Sequence, residues 1–331
     1  MVAESARENK RVLEVKNLKL HYLTSQGAVK AVDDTSFCLN RGETLGIVGE
    51  SGCGKTTTAV ALMMMPSPPG KIVGGQILIE GKDIVPMTET QIRKQIRWEK
   101  ISMVFQGAMN CLTPVYTIGK QMMETLREHR EMAKEEAIAR IEKYLAYVGL
   151  SRDVLKRYPH ELSGGMKQRI VIAMALFLEP KIILCDEPTT ALDVVVQAQI
   201  INLLKDLKQQ LDLSFIFITH DLATEAEVSD RLMVMYGGKI AEIGTNEQIY
   251  GKQGPMHPYT QRLLKATPLL HEKVEELAFI PGRPPDLLNP PKGCKFHDRC
   301  NVVMDRCKEE EPDLREVEPD HFVSCWRCRE S

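Results

Sequence analysis

An α/β fold built on a parallel, doubly wound sheet is what this sequence predicts, and three stretches predict it. "TLGIV" (44–48) is short, apolar and β-branched, the composition of a strand buried on both faces. "KTTTAVALMMM" (55–65) follows within seven residues and reads as a helix, so the pair forms a strand–turn–helix unit. A second apolar run, "IILC" (182–185), ends in Asp186 and Glu187, and a third, "SFIFIT" (214–219), ends in His220. In a doubly wound sheet the polar residues at the carboxyl ends of such strands gather around a ligand.

The turn between the first strand and its helix carries the chemistry. Gly49, Gly54, Lys55 and Thr56 match G-x-x-x-x-G-K-[ST]. A phosphate chain needs several backbone N–H groups aimed at it from close range. Glycine lets the backbone turn and approach, and the following helix adds its N-terminal dipole. Lys55 supplies a point charge for the β- and γ-phosphates and Thr56 a hydroxyl for Mg²⁺. Ser51, Gly52, Cys53 and Thr57 complete the loop assigned to ATP.

In "KIILCDEPTTALD" (181–193), Asp186 is placed to bind Mg²⁺ and Glu187 to polarise an attacking water. "LSGGMKQR" (162–169) opens a helical pattern running from Gly165 to Leu178. Ser163, Gly164 and Gly165 there form a helix-start anion site. One ATP hardly needs two such sites in one chain, so this one is read as facing ATP held by another subunit.

Size, charge and hydropathy bound the reading. The chain has 331 residues, 43% hydrophobic and 27% charged, enough for one large domain with an extension or for two domains. A formal net charge of −2 does not point to nucleic acid or an anionic membrane. "MVAESARENKRVLEV" has no apolar core, so no secretory signal is expected, and the longest apolar runs, "IVIAMALFL" (170–178) and "SFIFIT", have core lengths rather than membrane-spanning ones.

The phosphate loop, "LSGGM", "CDEP" and "THD", in that order, resemble the nucleotide-binding subunit of ABC (ATP-binding cassette) transporters over residues from about 12 to 250. The resemblance implies a P-loop NTPase with a RecA-like core, an antiparallel β subdomain and a helical subdomain over about 107–165. It implies two cassettes closing head to tail, each ATP lying between one loop and the other's "LSGGM" segment. By position, Ser163, Gly164, Gly165, Met166 and Gln168 would meet the partner's ATP, and Asp193 would be the D-loop residue. Gln106 of "ISMVFQG" would sense γ-phosphate and Mg²⁺ with Thr56 and Asp186, and His220 would contact γ-phosphate beside Glu187. Tyr22 in "LKLHYLT" (18–24) is placed to stack on adenine. Residues 117–150 carry helical periodicity, Ile138, Ile141, Leu145 and Val148 recurring three and four apart, as the helical subdomain requires.

After the cassette (1–253) comes an extension (254–331) with a Pro-rich link, "IPGRPPDLLNPP" (280–291), and five of the nine cysteines. "HPYTQRLL" followed by "GCKFHDRC" resembles the oligopeptide, dipeptide and nickel branch of ABC importers. That branch pairs two paralogous cassettes on two membrane permeases at the cytoplasmic face of the cell membrane, fed by an extracytoplasmic binding protein. Its cargoes include peptides, nickel and oligosaccharides. Of the cysteines, only Cys325-x₂-Cys328 has zinc-site spacing. Four thiolates gathered by a fold also suit a [4Fe–4S] cluster, and some family members carry one at positions matching Cys294, Cys300, Cys307 and Cys325. Iron–sulfur, zinc, and free or disulfide-bonded thiols therefore stay open, with Cys328 the spare.

Two other readings compete with an importer ATPase. A soluble nucleic-acid-processing ABC protein usually has two cassettes or a long coiled coil; here one loop occurs once and charge is near neutral. A cassette that holds ATP without turnover is opposed by the presence of both Glu187 and His220.

Overall fold

The computed structural model describes residues 10–266 and 280–329. The first nine residues of the N-terminal stretch read for a signal lie outside them. The chain forms two compact units, one from Met1–Val12, Asn40–Gly42 and Pro86–Ile216, the other from Leu13–Leu39, Glu43–Val85 and Phe217–Ser331.

The first unit holds the parallel strand pair Ile101–Val104 and Ile182–Asp186, every residue of both buried. Around them stand the helices Ile118–His129, Lys134–Tyr147, Gly164–Ala175 and Val194–Leu211. The periodicity over 117–150 is carried by two of these helices, Ile118–His129 and Lys134–Tyr147. The first closes at Arg130, whose backbone turns extended and whose guanidinium pairs with Glu99 at 2.8 Å, and the second opens after Ala133. The buried face of the second runs Ala137, Ile141, Tyr144, Leu145 and Val148, with Ile138 only half-buried at its edge. The "LSGGM" helix stops at Ala175 rather than Leu178, because Leu176 and Phe177 tighten into i→i−3 turns.

The second unit has two sheets. One runs in the order Gly27–Asn40, Arg11–Thr24, Gly70–Ile79, Lys82–Asp83, with Arg11–Thr24 and Gly70–Ile79 antiparallel. The other contains Thr44–Val48, the predicted "TLGIV" strand, wholly buried and parallel to Arg231–Tyr236. Arg231–Tyr236 turns antiparallel into Lys239–Thr245, and the extension then adds His321–Val323 and Arg315–Glu318 to that edge. Val48, Val234 and Tyr236 share one apolar cluster with Tyr259 and Phe296 of the extension. The boundary expected at 253/254 therefore falls inside a compact unit, since the tail completes its sheet and core. Among the described residues no helix is long and apolar enough to cross a membrane.

Candidate functional site

In the second unit the strand Thr44–Val48 runs into the loop and then the helix Lys55–Leu62, as the motif requires. Two loop glycines are obligatory. Gly49 sits at φ +148°, where a Cβ would lie 2.2 Å from the Met235 carbonyl oxygen, and Gly54 at φ +109°, where it would lie 2.4 Å from that of Ala31. Lys55 Nζ donates to the carbonyls of Gly49 (2.7 Å) and Glu50 (3.0 Å), so its ammonium lies over the concave side of the loop. Ser51, Gly52 and Thr56 are exposed, Thr57 is half-buried, and Cys53 is buried, its thiol pushed up by burial against the opposing pull of Lys55. Tyr22 lies near the end of the strand Arg11–Thr24, half-buried, with its ring against Gly70, where a Cβ would come within 2.9 Å of it. His220 is exposed just beyond the strand Ser214–Ile218, and Asp221 beside it caps the helix Leu222–Val228.

In the first unit Asp186 is buried at the end of its strand. Glu187 follows at φ +48°, a left-handed conformation costly for a side chain of this kind. Its carboxylate is held from two sides: Gln106 Nε2 donates to Oε2 at 2.8 Å and Thr190 Oγ1 donates to the same atom at 2.9 Å. Thr190 was not legible as part of the site, although it stands three residues along in the same acidic turn.

The "LSGGM" segment forms a helix start, Ser163 Oγ accepting from the Met166 N–H at 3.3 Å. The glycines have a second purpose that sequence did not reveal. A Cβ on Gly165 would meet Val196 at 2.7 Å and one on Gly164 would meet Leu192 at 3.2 Å. Met166 is half-buried, and Gln168 is buried beneath the start rather than presented on it. Asp193 caps the helix Val194–Leu211, its Oδ1 accepting from Val196 at 3.0 Å, and Val194 and Val195 beside it are 80% and 67% exposed.

In the extension, Cys294, Cys300, Cys307 and Cys325 line one apolar gap of about 20 Å³ with Phe296 and Trp326. No cysteine is in a disulfide. Burial pushes Cys294 up to about 12, while a hydrogen bond from Cys328 holds Cys325 down at about 6. Cys328, the spare, is thus a neighbour of the cluster rather than a surface residue. Among the described residues no three His, Cys, Asp or Glu side chains are arranged to hold a metal ion. The four thiols are brought to one place, but not as a single-ion ligand set.

Two residues absent from the motif reading complete the loop's surroundings. The Glu50 N–H donates to Tyr259 Oη at 2.9 Å, and the Glu50 carboxylate is forked by Arg299 at 2.5 and 2.8 Å. An acidic residue inside a phosphate loop is the signal that could have prompted a search for its counter-cation.

A glycine loop between a buried strand and a helix, an Asp-Glu strand end and a serine-capped glycine helix start define an ATP-binding cassette of the P-loop class. Comparison with known proteins agrees. The ABC transporter family model matches residues 32–190, and the model for the C-terminal region of oligopeptide/dipeptide transporters matches 241–307. The chain is 48% identical over 320 residues to the oligopeptide transport ATP-binding protein OppD of Bacillus subtilis, covering 96% of this chain and 88% of that one. It is 46% identical to the dipeptide transport ATP-binding protein DppD of the same organism, covering 96% and 94%. Among solved structures, an ATP-binding cassette in a dimeric post-hydrolysis state with ADP and Pi aligns with TM-score 0.62 at 28% identity, covering 72% of this chain and all of that one. The chain belongs to the ATP-binding proteins of the oligopeptide and dipeptide branch of the ABC transporters.

Proposed function

We propose that the protein is the ATP-hydrolysing subunit of an importer of oligopeptides or dipeptides, working at the cytoplasmic face of the membrane. It pairs there with a paralogous cassette on two permeases that are fed by a solute-binding protein. Residues 1–253 hold and cleave ATP, and 254–331 form the branch-specific extension. The observation that carries the reading is the Glu187 carboxylate, borne on a left-handed backbone and oriented by Gln106 and Thr190. A carboxylate so fixed can accept a proton from a water attacking the γ-phosphate. The loop from Gly49 to Thr57 holds the triphosphate, Lys55 neutralises it, Tyr22 stacks on adenine and His220 contacts the γ-phosphate. Thr56 and Asp186 offer the hard oxygen donors that Mg²⁺ takes, with Gln106 reporting on it. When bound, Mg²⁺ would supply charge neutralisation for the phosphates.

Pairing is supported by the apolar Val194 and Val195, exposed next to Asp193. In a closed dimer that D-loop face is covered, and Ser163, Gly164, Gly165 and Met166 meet the partner's nucleotide, with Gln168 supporting them from inside the helix.

For the extension, a [4Fe–4S] cluster on Cys294, Cys300, Cys307 and Cys325 is favoured over zinc. Four thiols on one apolar gap match the donor set of such a cluster, whereas of the paired spacings structural zinc favours only Cys325-x₂-Cys328 is present. The gap is only large enough for about one water, so loading requires the cysteine segments to move apart. Anaerobic purification should give a brown protein; a colourless protein that holds zinc would reverse the choice.

Glu187→Gln in the assembled transporter in liposomes tests the main proposal. Turnover and peptide uptake should fall by several decades, each about 1.4 kcal/mol of barrier, with ATP binding retained. Unchanged hydrolysis would refute the role given to Glu187.

A further inference from the structure

The phosphate loop is fastened to the cysteine-bearing extension at one residue. Glu50 stands between Gly49 and Ser51, on a loop whose remaining side chains are small or cationic up to Lys55. A carboxylate there would oppose a bound polyphosphate. Arg299, the residue before Cys300, is its counter-cation. Its Nη1 and Nη2 hold the two Glu50 oxygens at 2.5 and 2.8 Å in the fork geometry that guanidinium and carboxylate favour.

Arg299 is itself immobilised. Its Nε donates to the Pro281 carbonyl at 2.8 Å, Nη2 to the Ile280 carbonyl at 3.1 Å and Nη1 to Tyr236 Oη at 3.2 Å. Its side chain is 4% exposed against 25% for Glu50. A second tie reaches the loop backbone, where the fully buried Tyr259 accepts the Glu50 N–H. Tyr259 is wedged between Tyr236 and Phe296, with ring centroids 4.5 and 5.3 Å away.

We propose that Arg299 is a positioning residue of the ATP site. It neutralises Glu50 and draws its carboxylate back from the polyphosphate, making the tail part of the nucleotide loop's scaffold. The inference rests on reading Gly49–Thr57 as the ATP loop. It assigns the tail a direct effect on nucleotide affinity, separate from whatever its thiols bind.

Charge logic gives the variants opposite signs. Arg299→Met leaves an uncompensated carboxylate beside the phosphates, and MgATP should bind about ten- to a hundredfold more weakly. Glu50→Gln frees the Arg299 charge instead, and MgATP should bind several-fold more tightly. The double variant should return to near the wild-type value, which loss of structure alone cannot produce. Fluorescent-nucleotide titration of the full chain reads all three, with adenosine as the uncharged control that should be indifferent to each change.

Wild-type affinity in Arg299→Met would overturn the proposal, as would a double variant no better than Arg299→Met. If Arg299→Met does not fold, Glu50→Gln decides: no gain in affinity rejects the idea. A wild-type chain that binds no MgATP would sink the ATP-loop reading itself, a different failure.

Discussion

Glu225 should hold a proton at neutral pH, and Glu225→Gln should therefore stabilise the protein by an amount that grows with pH. The carboxyl is wholly buried in the first turn of the helix Leu222–Val228, a few residues beyond His220. Its Oε1 accepts from Ser229 Oγ and abuts Gly46 so closely that a Cβ there would overlap it, while Oε2 has no hydrogen-bond partner. Burial pushes the group from 4.5 up to about 8, against the smaller opposing pull of Ser229. A raised folded value means protons are taken up on folding. The stabilisation is complete below about pH 4.5 and is lost as pH rises through about 8. The slope in that window is about 1.4 kcal/mol per pH unit, so at pH 7 wild type carries a penalty of roughly 3 kcal/mol relative to acid. Glutamine has the same shape and no such penalty. The difference between urea-unfolding free energies of variant and wild type should climb between about pH 5 and 8 and then level off. A difference that stays flat would mean an ionised Glu225 in the folded state, and the burial argument would fail.

Three further outcomes follow from neighbouring contacts. His257 is buried, accepts the Tyr259 N–H at 3.0 Å and is lowered by burial to about 4, so stability should fall by roughly 3 kcal/mol as pH drops from about 6.5 to 4; His257→Asn should flatten that acid limb in thermal unfolding, and an unchanged limb would reject the assignment. His321 is pulled down by burial but raised on balance by its 2.8 Å hydrogen bond to Glu242 and by the Glu318 carboxylate 3.7 Å away, so its contribution is present below about pH 6.5 and lost as pH rises through the raised value. Glu242 also accepts the N–H groups of Met256 and His257, at 2.7 and 3.0 Å, so Glu242→Ala should cost about 3–5 kcal/mol and make the extension sensitive to protease, whereas a small loss would show the pair to be dispensable. Gly165→Ala should destabilise the "LSGGM" helix start by about 1–3 kcal/mol through overlap with Val196, and adding Val196→Ala should restore stability; no restoration would place the glycine requirement elsewhere.

What was legible in the sequence is what short-range physics determines. "TLGIV" could be read as a buried strand because a continuous apolar run followed by glycines, lysine and threonine allows few alternatives, and it forms over those same five residues. Gln106 and Glu187 were each placed by the strand before them, and their 2.8 Å contact follows from two parallel strands in register, Val104 opposite Cys185. The break at 130–133 was not legible, because no glycine or proline marks it; the helix ends where Arg130 finds Glu99, a partner 31 positions away. Arg299 was harder still, 249 positions from Glu50 and hidden among cysteines that drew attention to metal chemistry. Yet the need for it was written locally. A loop that gathers N–H groups and a lysine to receive a polyphosphate gains nothing from a glutamate unless a cation elsewhere in the chain cancels it. A motif can thus specify the chemistry of a missing partner without saying where the partner lies, and the tail of this cassette supplies it.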